Sequence, residues 1–239
     1  MQRFLAAENR TIGETNLYMC ALRTSLPVFF RIKWFWLKEM LHACFYLHTR
    51  RMLLIEAMYF FLYLGKSPYQ IAKKSPSTHP LGNIYGETPP KILKKIGEKT
   101  GLSKGKTYLE LGSGRGKGVF FMREVFSAVS TGLDWVEPFI ESSIGIKNFL
   151  RIEGVHFQVQ DIFQTSLPKA DVVYIYSTSL SDAEFLQLAK QLISFPKGAY
   201  VATVSEPLAY YSADWKVESR FKAAYPWGKA DVFIQKKVE

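Results

Sequence analysis

The sequence predicts a doubly wound α/β fold: a mostly parallel seven-stranded sheet ending in an antiparallel β-hairpin, with a helical N-terminal extension. Three observations predict it. From residue 90 onward, short apolar runs of strand type alternate with segments of helical period. A glycine-rich stretch, Gly112-Ser-Gly114-Arg-Gly116-Lys-Gly118, joins the first of those strands to its helix. The chain then closes with two long β-like runs around a Pro-Trp-Gly turn.

The first third differs from the rest. The chain has 239 residues and a formal net charge of +10, and 15% of it is aromatic. Residues 1–89 carry net +6 of that charge and much of the aromatic excess. A basic balance favours acidic partners without choosing among nucleic acid, an anionic membrane face and an acidic protein. Met1 to Arg10 is polar, and no apolar core of a secretory signal follows. Met52 to Leu64 is apolar except for Glu56, but its 13 residues fall short of the ~20 that cross a bilayer. Residues 1–80 therefore read as a helical, basic, aromatic-rich extension, packed on the domain that follows or lying on a membrane through residues 27–65. A tilted or re-entrant span is the third reading. Lys66 to Pro80, rich in Ser, Pro and Lys, reads as a linker, and 81–239 as the second domain. Cys20 and Cys44 are too few for a disulfide framework and lack metal-site spacing. A reducing, cytoplasmic location is expected, with membrane association as an addition, no metal and a monomeric chain.

The elements follow in order. Pro89 and Pro90 start a helix with Ile92, Leu93 and Ile96 on one face, ended by Gly101. Thr107 to Gly112 is the first strand, and a helix runs from Gly116 to about Phe126. Ala128 to Leu133 is the second strand, ending at Asp134; Pro138 to Arg151 is a helix. Val155 to Val159 is the third strand, leading to Asp161. Asp171 to Tyr176 is nearly all apolar, as a strand covered on both faces requires. Ser181-Asp-Ala-Glu184 has the capping-box pattern of a helix start. Gly198 to Val204 is the fifth strand, and Trp215 to Ala224 with Asp231 to Lys237 forms the hairpin.

Glycines between a strand end and a helix start let backbone approach a ligand, and the helix N-terminus offers free N–H groups. A P-loop is excluded, because Gly116-Lys117 is followed by Gly118 and not by a hydroxyl residue. The dinucleotide pattern Gly-x-Gly-x-x-Gly breaks at Lys117. What remains is acid-x-Gly-x-Gly-x-Gly: Glu110, Gly112, Gly114, Gly116. It resembles motif I of the class I, Rossmann-like methyltransferases that use S-adenosylmethionine, whose methionine ammonium an acid such as Glu110 accepts. The order of the later acids and the terminal hairpin agree with that likeness. No Asn/Asp-Pro-Pro-Tyr/Phe segment follows the fourth strand, which sets aside the amino methylases that carry it.

Upstream, Tyr85-Gly86-Glu87-Thr88-Pro89-Pro90 precedes the helix that leads to Leu-Glu-Leu-Gly-Ser-Gly. This preloop resembles that of the non-SET histone-lysine methyltransferases of the disruptor-of-telomeric-silencing type. It is also similar to that of the short mitochondrial-type lysine methyltransferases. The resemblance spans about Tyr85 to Val204 and implies transfer of a methyl group to a protein lysine. It implies that Tyr85 and Thr88 lie over the methionine end of the cofactor, with Glu87 ordering the loop. Glu110, Gly112, Ser113, Gly114 and Gly116 would hold the methionine moiety, Asp134 the ribose, and Asp161 with Ile162 the adenine. Tyr176-Ser177 replaces the Asn-Asn pair of the histone enzymes, and Tyr176 either lines a lysine channel or packs in the ordinary way. Glu110, Asp134 and Asp161 could each instead be a plain strand-end residue. The expected chemistry needs proximity and a desolvated, neutral amine more than a dedicated base. The alternatives are a small-molecule or lipid methyltransferase with the extension as lid, and a catalytically silent binding module. A protein substrate is favoured over nucleic acid.

Overall fold

Strands β1 (Thr107–Leu111), β2 (Val129–Asp134), β3 (Val155–Val159), β4 (Val172–Ile175), β5 (Tyr200–Val204), β6 (Trp215–Tyr225) and β7 (Gly228–Lys237) form one sheet in the order β3-β2-β1-β4-β5-β7-β6. This computed structural model describes residues 50–65, 67–75 and 85–238. β1 to β5 pair in parallel, β7 runs antiparallel to β5 and β6, and β6 carries a bulge between Val217 and Ser219. The fold is the Rossmann-like α/β sheet with its C-terminal hairpin.

Alternation along the strands sorts the interior into two cores. Tyr108, Val172, Tyr174, Ala202 and Val204 face one layer of helices. Leu109, Leu111, Val173, Ile175 and Val201 face the other. Both faces of the parallel strands are covered, so these strands are apolar at successive positions instead of every second one. The helices are α3 (Pro90–Lys99), α4 (Lys117–Phe126) and α5 (Glu137–Phe149) on the first face and α6 (Asp182–Leu192) on the second. α3 starts with Pro89 at the cap and Pro90 inside, where the missing N–H costs nothing. α6 has the full capping box, Ser181 accepting from the Glu184 amide and Glu184 accepting from the Ser181 amide.

The N-terminal segment is tied to this sheet. Helix α1 (Arg50–Leu62) buries Met52, Ile55 and Tyr59 in the first core, against α4 and α5. Burying a side chain of this size contributes about 1.5–3 kcal/mol. Its opposite side exposes Leu53, Leu54, Phe60 and Phe61. No helix among the described residues is long and apolar enough to cross a membrane. Cys20, Cys44 and the part of 27–65 before residue 50 lie outside the described residues.

The linker expected over Lys66 to Pro80 needs correction, because Pro68–Lys74 forms a helix, α2. Pro68 at the first helical position is compatible with a start, and Ala72 buries against Val136 and Phe139. Composition alone missed this burial. The fourth strand is also shorter than expected. Tyr176 has left the ladder after Ile175, and it lines the cavities described next.

Candidate active site

The site lies beyond the C-terminal ends of β1, β2 and β4, where the strand order reverses between β1 and β4. In such sheets this is where a crevice opens. Leu111 ends β1, and Gly112, Gly114 and Gly116 then adopt left-handed φ values of 75°, 52° and 77°, which side chains other than glycine rarely take. The Gly112 and Ser113 amides both donate to the Leu133 carbonyl at 2.9 Å. Asp134, at the end of β2, accepts from the Gly114 amide at 2.7 Å and the Val136 amide at 2.8 Å. Each of its oxygens keeps further acceptor capacity. Burial pushes its carboxyl up, opposed by the Val136 and Gly114 amides.

The crevice gathers most of the residues singled out in sequence. Its wall includes Tyr85, Gly112, Gly114 and Asp134 on one side. Asp161, Ile162 and Tyr176 complete the other side. Asp161 also accepts from the Phe163 amide at 2.9 Å, shaping the turn after β3. Gly116 caps α4 and does not line the crevice itself. A recess adjoining the crevice holds Glu87, Thr88, Glu110 and Ser113, with Lys117 and Gly118 at its back. The Thr88 hydroxyl is bonded to the buried Tyr174 hydroxyl at 2.5 Å, so its polar atom is held toward the core.

Glu110 is not a solvated strand-end acid. It is 7% exposed, and its Oε2 has no hydrogen-bond partner. Burial pushes its carboxyl up to about 8. The nearby Tyr108 hydroxyl, outside hydrogen-bonding geometry, opposes this, while Asp134 and Glu87 reinforce it. The buried Ser113 hydroxyl is likewise unpaired. Two unpaired polar atoms in one recess leave hydrogen-bonding capacity that a ligand can use.

The preloop is held by charge. Arg115 Nε donates to Glu87 Oε1 at 2.8 Å and to the Tyr85 hydroxyl at 2.9 Å, and the Tyr85 hydroxyl also donates to Glu87. Burial would raise the Glu87 carboxyl, but Lys117 and Arg115 outweigh it and hold the group below the usual range. Beside the crevice, a second cavity is walled by Tyr69, Tyr85, Tyr176 and Trp227. Trp227 Nε1 donates to the Tyr176 hydroxyl at 2.5 Å and stacks on Tyr225 at 5.2 Å. Ser205, at a left-handed φ of 74°, closes the far side.

A family profile described as a methyltransferase domain matches residues 102–237. The chain belongs to this methyltransferase family. Its fold is similar to that of an RNA methyltransferase from Salinibacter ruber solved with S-adenosyl-L-homocysteine: 17% identity, 64% of this chain and 94% of that one, TM-score 0.54. TrmN from Thermus thermophilus is 13% identical over 63% of this chain, TM-score 0.54, and this chain covers only 49% of it. A geranyl diphosphate C-methyltransferase from Streptomyces coelicolor A3(2) is 13% identical over 63% of this chain and 76% of that one, TM-score 0.52. A search of curated proteins finds no match.

Sequence reasoning missed several residues of this candidate site: Arg115, Lys117, Tyr69, Trp227 and Ser205, with Glu56 and Tyr59 behind them. Glu56 carried one signal, as the single acid in an otherwise apolar helical run.

Proposed function

We propose that this methyltransferase transfers a methyl group to the ε-amino group of a protein lysine. The cofactor is S-adenosylmethionine, which supplies a methyl group already activated on a sulfonium. The chain's residues fit it. Glu110 Oε2 and the Ser113 hydroxyl, both buried and unpaired, suit a methionine ammonium and its neighbours. Gly112 and Gly114 allow close approach, Asp134 has acceptor capacity left for ribose hydroxyls, and Asp161 with Ile162 suits adenine.

The observation that carries the lysine reading is the aromatic cavity of Tyr69, Tyr85, Tyr176 and Trp227, which shares Tyr85 and Tyr176 with the crevice. An aromatic wall can pack along a long aliphatic stem and displace water from around its amine. That desolvation disfavours the ammonium, lowering the lysine pKa toward the reactive neutral form. Burial keeps the Tyr176 phenol above its usual range and therefore neutral. Its oxygen, already accepting from Trp227, keeps a second lone pair that can accept from an amine N–H and leave the nitrogen lone pair free to attack. No dedicated base is needed, because proximity and orientation do most of the work. The preloop likeness to lysine methyltransferases at Tyr85-Gly86-Glu87-Thr88 supports the same reading.

The test is transfer of labelled methyl from S-adenosylmethionine into cell lysate, followed by mass spectrometry of the labelled species. Methyl-lysine in protein is the expected product. Label confined to RNA, lipid or a small molecule overturns the lysine reading. Absence of cofactor binding at millimolar concentration overturns the enzymatic one.

A further inference from the structure

Helix α1 belongs to the N-terminal extension, yet its two polar side chains nearest the sheet are aimed at the glycine loop. The Tyr59 hydroxyl donates to the Arg115 carbonyl, to which the Ser143 hydroxyl also donates at 2.8 Å. That carbonyl lies between two left-handed glycines, Gly114 and Gly116, in a stretch with no ladder to hold it. Glu56 Oε2 accepts from Lys117 Nζ at 2.8 Å, and Lys117 Nζ lies 3.7 Å from Glu87 Oε2. The Arg115 guanidinium sits 4.4 Å from the centre of the Tyr63 ring and 5.0 Å from that of Tyr59. On its other side it holds Glu87 and Tyr85.

A continuous path of contacts therefore runs from α1 through Arg115 and Lys117 to the preloop, whose Tyr85 and Gly86 form part of the crevice wall. The preloop has neither helix nor strand of its own over residues 85–89. These side chains hold it together with the Thr88–Tyr174 contact and the packing of Tyr85 on Phe139. Packing accounts for the burial of Met52 and Ile55 in the apolar core. It does not account for the helix's one acid and one hydroxyl both meeting the glycine loop. The Glu56–Lys117 pair is partly exposed, with side chains 38% and 25% accessible, so it adds little to global stability. Its effect is geometric: it fixes where Lys117 stands relative to Glu87.

We propose that α1 is a working part of the cofactor site. Glu56 and Tyr59 are positioning residues that hold the Tyr85–Thr88 preloop against the crevice through Lys117 and Arg115. The proposal rests on reading that crevice as the S-adenosylmethionine site.

The experiment uses the full chain with Glu56→Gln and Tyr59→Phe, separately and combined, changes that preserve shape. Leu53→Ala, on the exposed side of the same helix, is the control. Cofactor affinity is measured by calorimetry, kcat at saturating cofactor by turnover, and preloop amide exchange by mass spectrometry without cofactor. The double variant should bind S-adenosylmethionine roughly tenfold more weakly, as expected for two lost polar contacts. Its kcat should fall less than its affinity, and amide exchange over 85–88 should speed up about tenfold, with wild-type behaviour for Leu53→Ala. Affinity within twofold of wild type, or unchanged preloop exchange, overturns the proposal. If the double variant does not fold, Tyr59→Phe alone is judged by the same two readings. If wild type binds no S-adenosylmethionine, the reading of the crevice fails, and the exchange measurement still decides whether α1 holds the preloop.

Discussion

Glu110→Gln is the substitution whose consequences the structure specifies most fully. The carboxyl is buried, lacks a partner at Oε2, and is raised from 4.5 to about 8. A carboxyl with a raised folded-state pKa favours the native protein below its unfolded value. That advantage is lost as pH climbs through the folded value, because the unfolded chain ionises freely while the native site resists. At about 1.36 kcal/mol per pH unit, the ligand-free protein is destabilised by about 3 kcal/mol at pH 7 and about 5 kcal/mol above pH 8. Gln has the same shape and no charge, so the variant should escape this penalty. Thermal unfolding without cofactor is the assay, run at several pH values between 5 and 9. At pH 7 the variant should melt roughly 6–12 °C above wild type, with the two converging near pH 5. Cofactor binding should move the opposite way. On the proposed reading the variant loses a charge-assisted contact to the ammonium, so affinity should fall by about 1.5–3 kcal/mol, roughly 10- to 150-fold. Melting curves of wild type and variant that stay parallel from pH 5 to pH 9, or unchanged cofactor affinity, would refute the reasoning.

The other predictions concern neighbouring atoms. Asp134→Ala strands the Gly114 and Val136 amides as well as removing acceptors from the crevice. It should cost about 1–3 kcal/mol of stability and weaken cofactor binding together, and calorimetry paired with denaturant unfolding checks both. Gly118→Ala places a methyl group against the Glu110 carboxylate. Cofactor affinity should fall at least tenfold while far-UV circular dichroism is unchanged. Tyr176→Phe keeps the ring but removes the partner of Trp227 Nε1. Initial rates should show kcat down roughly tenfold if, as proposed, the phenol oxygen orients the reacting amine, with KM for cofactor within twofold.

How much of this was legible in the sequence depends on the range of the interaction involved. The strand–glycine–helix unit, the acids at the strand ends and the capping box at Ser181 are local, set within a few residues by period and turn chemistry. The Ser, Pro and Lys content of residues 66–80 is loop-like and hides the helix over Pro68–Lys74. Burial of Ala72 against Val136 and Phe139, far away in the chain, is invisible to composition. Thr88 lines the recess beside Glu110, but the contact of its hydroxyl with Tyr174, 86 residues on, has no local signal. Arg115 stands at an unspecified position between two glycines. It holds the preloop through Glu87, 28 residues earlier, and is itself braced by Tyr59, 56 residues earlier.

By itself, the sequence determined the order of the elements, the left-handed glycines of the β1–α4 loop and the acids near the ends of β1 and β2, because glycine content, hydrophobic period and residue type act over short distances. Tertiary structure alone decided which of these groups are unsatisfied and which are held. Glu110 has a raised pKa because of what buries it. Tyr69, Tyr85, Tyr176 and Trp227 wall one cavity because four separate segments converge there. Helix α1 reaches the glycine loop because the side of it bearing Met52, Ile55 and Tyr59 is driven into the core. Desolvation and convergence are properties of packing, and no local pattern encodes them.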